Sequence, residues 1–468
     1  MNDASPPPGA PGAARRANAA GGNDASGNDA ERTAGRALFT SRVAAVAAMI
    51  GVAIGLGNFW RFPYMVGRFG GAAFVVFYVF VVVVVGVPGL MAEWALGRHT
   101  RRGPVGAFAR AGVPFGRALG WFFFVIVLAA TAYYSVAVGW VLAFAVGSAA
   151  NGLGASWDPA SVLPPATGFR VRSFAPQLGF TALVVGGSAL VLAKGLRIGI
   201  ERVSRAFVPL LVVILVVLIA RALTLPGAGA GVHWYLLKFR LADLTPAVML
   251  AATGQAVFSL ALGGTFMVIY GSYLDDDTDL RSTAAWTAGA DTAAGLLAGL
   301  AIFPAVFALG LHPASGPDLI FQTLPRVFDA MPAGAAFGVL LFGGLLAGAI
   351  LSDIAALEVL VAALNDNTPL RRRSAVWLVA GAVLLVAMPP MTSMRVFVPW
   401  DLTFGSGMQT FGALCALLTF GWALKRPAAL AQLRGVRPLY YWIRYVVPVG
   451  ILAVGVWWAL TDLLKVAR

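Results

Sequence analysis

Gly51-Val-Ala-Ile-Gly-Leu-Gly-Asn-Phe-Trp-Arg-Phe-Pro63 sets three glycines, an asparagine and an arginine inside an apolar stretch otherwise long enough to cross a bilayer. A helix in lipid keeps its backbone N–H and C=O groups paired internally, because no water is there to replace a lost partner. A Gly-broken, Arg-bearing span is therefore tolerated only where its loosened carbonyls face protein, water or a ligand, and the break marks a binding site.

The surrounding chain supports a membrane setting. Of the 468 residues 59% are hydrophobic and only 12% charged, about half the charged share of an ordinary soluble domain. The mean hydropathy is +0.82. A net charge of +14 raises the question of nucleic acid, but the Lys and Arg residues lie in short clusters between apolar runs and not on one face, so no nucleic-acid partner is expected. The single cysteine, Cys415, excludes an internal disulfide. His99, His233 and His312 lack the spacing of a metal cluster, and no nucleophile, base and orienter come together, so an enzyme is not expected.

A span needs about 20 mostly apolar residues, and windows of that kind fall at 42–67, 72–97, 117–149, 179–194, 203–223, 246–272, 284–311, 335–364, 375–390, 397–424 and 441–463. The chain thus reads as an all-α membrane protein with eleven transmembrane helices. Residues 1–37, rich in Ala, Gly, Pro, Asn and Asp, read as a disordered cytoplasmic tail, 38–463 as one transmembrane domain, and 464–468 as a short external tail. Arg98, Arg101, Arg102, Arg110 and Arg117 follow the second window and Arg371, Arg372 and Arg373 the eighth. By the excess of cations in cytoplasmic loops, these alternate loops and the N-terminus lie inside the cytoplasmic membrane and the C-terminus outside.

The sixth window is also interrupted, at Ser259-Leu-Ala-Leu-Gly-Gly264, five spans after the first break. Gly263-Gly264 alone could be a close helix-packing contact. Paired Gly-interrupted segments in corresponding positions of two halves instead point to an inverted-repeat secondary transporter, with half-helix ends meeting substrate and coupling ions near the midplane.

Together with Gly70-Gly-Ala-Ala-Phe74, Glu93-Trp-Ala-Leu-Gly-Arg98, Gly199-Ile-Glu-Arg202 and Gly254-Gln-Ala-Val-Phe-Ser-Leu260, the Gly51–Pro63 stretch resembles the neurotransmitter:sodium symporter family, in particular its bacterial amino-acid transporters. The resemblance implies the LeuT-type fold, a 5+5 inverted repeat with discontinuous spans 1 and 6, and sodium-coupled symport of a zwitterionic amino acid by alternating access. It implies a first sodium site at the Ala53 carbonyl, Asn58, Ser259 and Asp291. Counting back from Pro304 puts Ala290 at this last position instead. Asp291 in lipid would need a cation or proton beside it, or else reach the cytoplasmic surface. A second sodium site is implied at the carbonyls of Gly51, Ile54 and Gly348 and the Ser352 hydroxyl. Here Leu351 stands where relatives have a hydroxyl or carboxylate ligand, and Asp353, about 200° around the helix, cannot simply replace it. One or two sodium ions are therefore expected. Ala294 or Gly295 occupies the place of the acid that chloride-independent relatives carry, but Asp291 can supply that charge, and chloride is not expected to be required.

The resemblance further implies a substrate pocket at Val52, Ala53, Gly55, Ala130, Tyr134, Phe258, Ser259, Ala261, Gly264, Ser352 and Ala356. Its small residues admit a large hydrophobic or aromatic side chain. Arg61, Gln255 and Asp401 match an outer gate, and Arg36 with Asp366 an inner pair. As exposed ion pairs, worth about 0 to 1 kcal/mol, such gates would open easily. Glu93 would either steady the unwound sixth helix or pair with Arg98. Two other readings are kept: an amino-acid receptor of transporter shape that does not transport, suggested by Leu351, and a proton-coupled variant using Asp291 or Asp353. Monomer and dimer are both compatible with the sequence.

Overall fold

The computed structural model describes residues 42–194, 196–263, 265–314, 319–329 and 333–458, and among these there is no strand. Arg36, Gly264, the side chain of Val52 and both expected tails lie outside the described residues.

Within the described residues every apolar window falls on a helix or on an interrupted helix pair. Among the described residues six helices are long and apolar enough to cross a bilayer: Ala72–Thr100, Gly116–Gly152, Val171–Ala193, Leu280–Ala308, Gly334–Asn367 and Arg437–Val456. Two further pairs qualify together but bend sharply, Pro209–Leu223 into Ala228–Leu237 by 120° and Met394–Ala423 into Arg426–Gln432 by 118°. The 37-residue third helix, Gly116–Gly152, rises about 55 Å and must tilt or project beyond a core of about 30 Å.

Boundaries differ from the hydropathy reading by a few residues at several ends, and most at the start of the fourth helix. The fourth helix begins at Val171, not 179, because the polar residues of its first turns find partners. Buried Gln177 accepts from Trp140 Nε1 at 3.0 Å and donates to the carbonyls of Ser173 and Met391, both at 3.2 Å. Hydropathy counts such a residue as a break, whereas a satisfied amide is at home in a buried helix.

Both expected breaks are present. The first helix, Arg42–Ala53, stops at Ile54-Gly55, and the chain passes through a wide π turn at Gly57–Arg61 into Phe62–Phe69. The sixth runs from Pro246 to Ser259 and resumes at Phe266–Gly271. Between these halves Ala261 has φ +51° and Gly263 φ +153°, which no right-handed helix accommodates. The two breaks abut: a β-carbon on Gly57 would lie 3.2 Å from the Phe258 ring and 3.6 Å from Ser259 Cα.

Candidate binding site between the broken helices

At the first break the freed backbone is partly satisfied by side chains from elsewhere. Gly55 N–H donates to Asn58 Oδ1 at 3.0 Å and Leu56 N–H to the Tyr134 hydroxyl at 3.3 Å, while the Gly57 carbonyl accepts from Gln255 Nε2 at 2.9 Å. Gly55 is closely packed: a β-carbon there would displace the Ser352 and Tyr134 hydroxyls.

Asn58, Ser259 and Asp291, all buried, form one cluster. Asn58 Nδ2 donates to Asp291 Oδ1 at 2.7 Å, the Asp291 carbonyl at 2.9 Å and Ser259 Oγ at 3.2 Å. Ser259 Oγ lies 2.9 Å from both carboxylate oxygens, and the Tyr78 hydroxyl donates to Asp291 Oδ2 at 3.3 Å. Of the two alignments, Asp291 and not Ala290 therefore faces the break. The carboxylate is fully buried, which corrects the alternative that it reaches the cytoplasmic surface. Ser259 and Asp291 offer a hydroxyl and a carboxylate, oxygen groups that suit a hard monovalent cation, while Asn58 turns its nitrogen to them and its oxygen to Gly55. Among the described residues no group of His, Cys, Asp and Glu could hold a transition metal.

The eighth helix, Gly334–Asn367, packs on the other side of the same break. A β-carbon on Gly348 would lie 3.5 Å from the Ile54 carbonyl and one on Gly55 would meet Ser352 Oγ, so Ile54, Gly348 and Ser352 share this flank. Leu351 is buried and offers no oxygen. The Asp353 carboxylate points elsewhere, accepting from Ser135 at 2.6 Å and Ser188 at 2.7 Å.

Above the cavity, Arg61 Nε meets Asp401 Oδ1 at 3.2 Å, and its other nitrogens donate to Gln255 Oε1 at 2.7 Å and to Ser406 Oγ. The guanidinium lies 4.5 Å from the centroid of the Phe258 ring, and the Tyr64 hydroxyl donates to Asp401 Oδ2 at 2.6 Å. The expectation of an exposed, weak pair is corrected here: the two side chains are 0% and 4% exposed, and separating such a pair without a new partner costs about 3 to 5 kcal/mol. At the opposite end Asp366 Oδ2 accepts from Gly103 N–H at 2.9 Å; Arg36 lies outside the described residues. Glu93 accepts from Gly263 N–H at 2.9 Å. Arg98 instead donates to Gln432 Oε1 and the Thr278 carbonyl, which decides between the two roles foreseen for Glu93.

Of the eleven residues expected to line the pocket, Ala53, Gly55, Ala130, Tyr134, Phe258, Ser259, Ala261, Ser352 and Ala356 line a single cavity. Gly57, Thr131, Tyr133, Phe266 and Gln409 line it too and were not foreseen. Gln409 had a signal in the sequence, an amide alone in an apolar span.

The profile described as Sodium:neurotransmitter symporter family matches residues 36–161 and 181–456. The chain is 33% identical over 438 residues to the uncharacterized sodium-dependent transporter YhdH of Bacillus subtilis, covering 89% of this chain and 96% of that one. An uncharacterized sodium-dependent transporter of Haemophilus influenzae is 30% identical over 452 residues, covering 90% and 97%. In three dimensions the chain is similar to MhsT in its crystal structure with L-phenylalanine, at a TM-score of 0.82 and 32% identity, over 90% of this chain and all of that one. With the LeuT-type fold thus established, the chain belongs to the sodium:neurotransmitter symporter family, whose members are transporters and not enzymes.

Proposed function

We propose that the protein is a sodium-coupled symporter of a neutral, large hydrophobic or aromatic amino acid, working by alternating access in the cytoplasmic membrane with its N-terminus inside. The observation that carries this reading is the Asn58–Ser259–Asp291 cluster, which joins the first break, the sixth and the seventh helix and reaches the cavity through Ser259. Sodium held there would also meet the substrate carboxylate, so each ligand would tighten the other's binding through a shared contact. The Tyr134 phenol accepts from Leu56 N–H and keeps its own proton to donate to that carboxylate. Gly55 leaves room for the amino-acid main chain and brings no acid to compete with it. Ala130 and Ala356 leave width for a bulky side chain, and the L-phenylalanine complex of MhsT supports that class.

The second site supports one further sodium only weakly, because Leu351 removes a ligand. Asp291 supplies the negative charge that makes chloride dispensable. Purified protein in liposomes, loaded with a sodium gradient and offered radiolabelled Phe, Trp, Leu or Met, tests the proposal. Accumulation that needs the gradient is expected. Equal uptake without sodium would end the proposal in favour of proton coupling, and sodium-dependent binding without accumulation would favour a receptor.

A further inference from the structure

The cavity contains polar groups that neither sodium nor an amino-acid main chain explains. Gln409 lies eight residues beyond Asp401 on the tenth segment, about 12 Å further along a helix, and so well beyond the Arg61–Asp401 bond that closes the cavity above Phe258. It lines the cavity while being only 8% exposed. Its Oε1 is sealed from solvent and has no hydrogen-bond partner among the described residues. Thr131 lines the same cavity, is 1% exposed, and its Oγ1 is likewise without a partner. The backbone holds Gln409 in place: a β-carbon on Gly263 would lie 3.5 Å from Gln409 Cα, and one on Gly412 would strike the Gly263 carbonyl at 2.1 Å. The amide is thus fixed against the broken sixth helix and cannot retreat into lipid.

A buried, unpaired carbonyl oxygen is costly unless something donates to it. The main-chain ends of the substrate are provided for elsewhere, at Tyr134, the first break and the sodium cluster. A substrate side chain that carries a proton at its far edge is placed to supply that missing donor. Resting on the symporter reading above, we propose that Gln409, supported by Thr131, is a specificity-determining residue that selects amino acids whose aromatic side chain carries a hydrogen-bond donor at its far edge, a phenol O–H or an indole N–H, over purely hydrocarbon side chains of similar size.

A polar pocket residue discriminates because the analogue lacking the donor leaves it desolvated and unpaired. The experiment is competition against radiolabelled tyrosine binding to the purified wild-type protein in saturating sodium, with two matched pairs, tyrosine against phenylalanine and tryptophan against its benzothiophene isostere, in which sulfur replaces the indole N–H. The donor-bearing member of each pair is expected to compete about tenfold better. In Gln409→Leu, which keeps the volume and removes the amide, both ratios are expected to collapse toward one. Equal competition within both pairs in the wild type overturns the proposal without any variant being needed. Ratios that persist in Gln409→Leu overturn it as well. If no amino acid binds in sodium, the symporter reading itself falls, and the two failures are told apart by phenylalanine, which competes in the first case and not in the second.

Discussion

Asn58 shows how much one side chain carries when the backbone around it is broken. Its oxygen accepts from Gly55 N–H and its nitrogen donates to Ser259 and Asp291, so a single amide both holds the interrupted backbone and ties the first break to the sixth and seventh helices. Asn58→Ala strands the Gly55 N–H and takes one of three side-chain donors from the buried Asp291 carboxylate. The loss of one partner typically costs about 1 to 3 kcal/mol, and Asn58→Ala is expected to lower the melting temperature of the purified protein and to weaken sodium-dependent substrate binding at least tenfold. Asn58→Asp keeps an acceptor for Gly55 but sets a second charge beside Asp291, and sodium titrations should show it closer to Ala than to the wild type.

Among whole elements, the second helix against the resumed half of the sixth is the tightest contact around the site. A β-carbon on Gly97 would lie 1.9 Å from the Val268 carbonyl and one on Gly271 2.5 Å from that of Trp94, so the two backbones touch through their glycines. The same helix extends Glu93 to the Gly263 N–H. The broken sixth helix is thereby fastened along one side, by steric fit at Gly97 and by a hydrogen bond at Glu93. Gly97→Ala is expected to abolish folded protein or lower its melting temperature severely, because the obstacle is backbone and cannot swing aside. Gly343→Ala is the control. It meets nothing within 4 Å, and replacing a mid-helix glycine there is expected to be neutral or to stabilise by up to about 1 kcal/mol.

For the molecule as a transport machine, the buried Arg61–Asp401–Tyr64 network changes what opening demands. A pair sealed from water opens only if water or another partner replaces each bond as it breaks. Asp401→Ala leaves the guanidinium buried without its carboxylate, and is expected to lose transport and to melt earlier than Arg61→Ala/Asp401→Ala, in which both charges are gone. Thermal melts of the three proteins decide this. Coupling is read from accumulation. One sodium ion descending about 100 mV and a tenfold gradient releases roughly 3.7 kcal/mol, enough for several hundredfold accumulation of a neutral solute, whereas two support about 10⁵-fold. With Leu351 at the second site, static-head accumulation nearer the lower figure is expected, and replacing chloride by gluconate should leave uptake unchanged.

How much of this was legible beforehand follows from what each signal depends on. The two breaks were readable because lipid penalises an unpaired backbone so heavily that glycines, an arginine and an asparagine cannot stand in a span without a local reason. The small pocket residues followed from the Gly51–Pro63 signature once its resemblance was noted, and nine of the eleven line one cavity. Tertiary structure alone decided the rest, because those outcomes depend on what lies across a gap and not along the chain. It chose Asp291 over Ala290 through the reach of Asn58, and gave Glu93 to Gly263 and Arg98 to Gln432. It buried the Arg61–Asp401 ion pair, which the sequence reading expects to be exposed and weak, and it left Gln409 facing the cavity without a partner among the described residues. A sequence states which residues are polar; only packing determines which of them are kept from water, and that is what sets their energy.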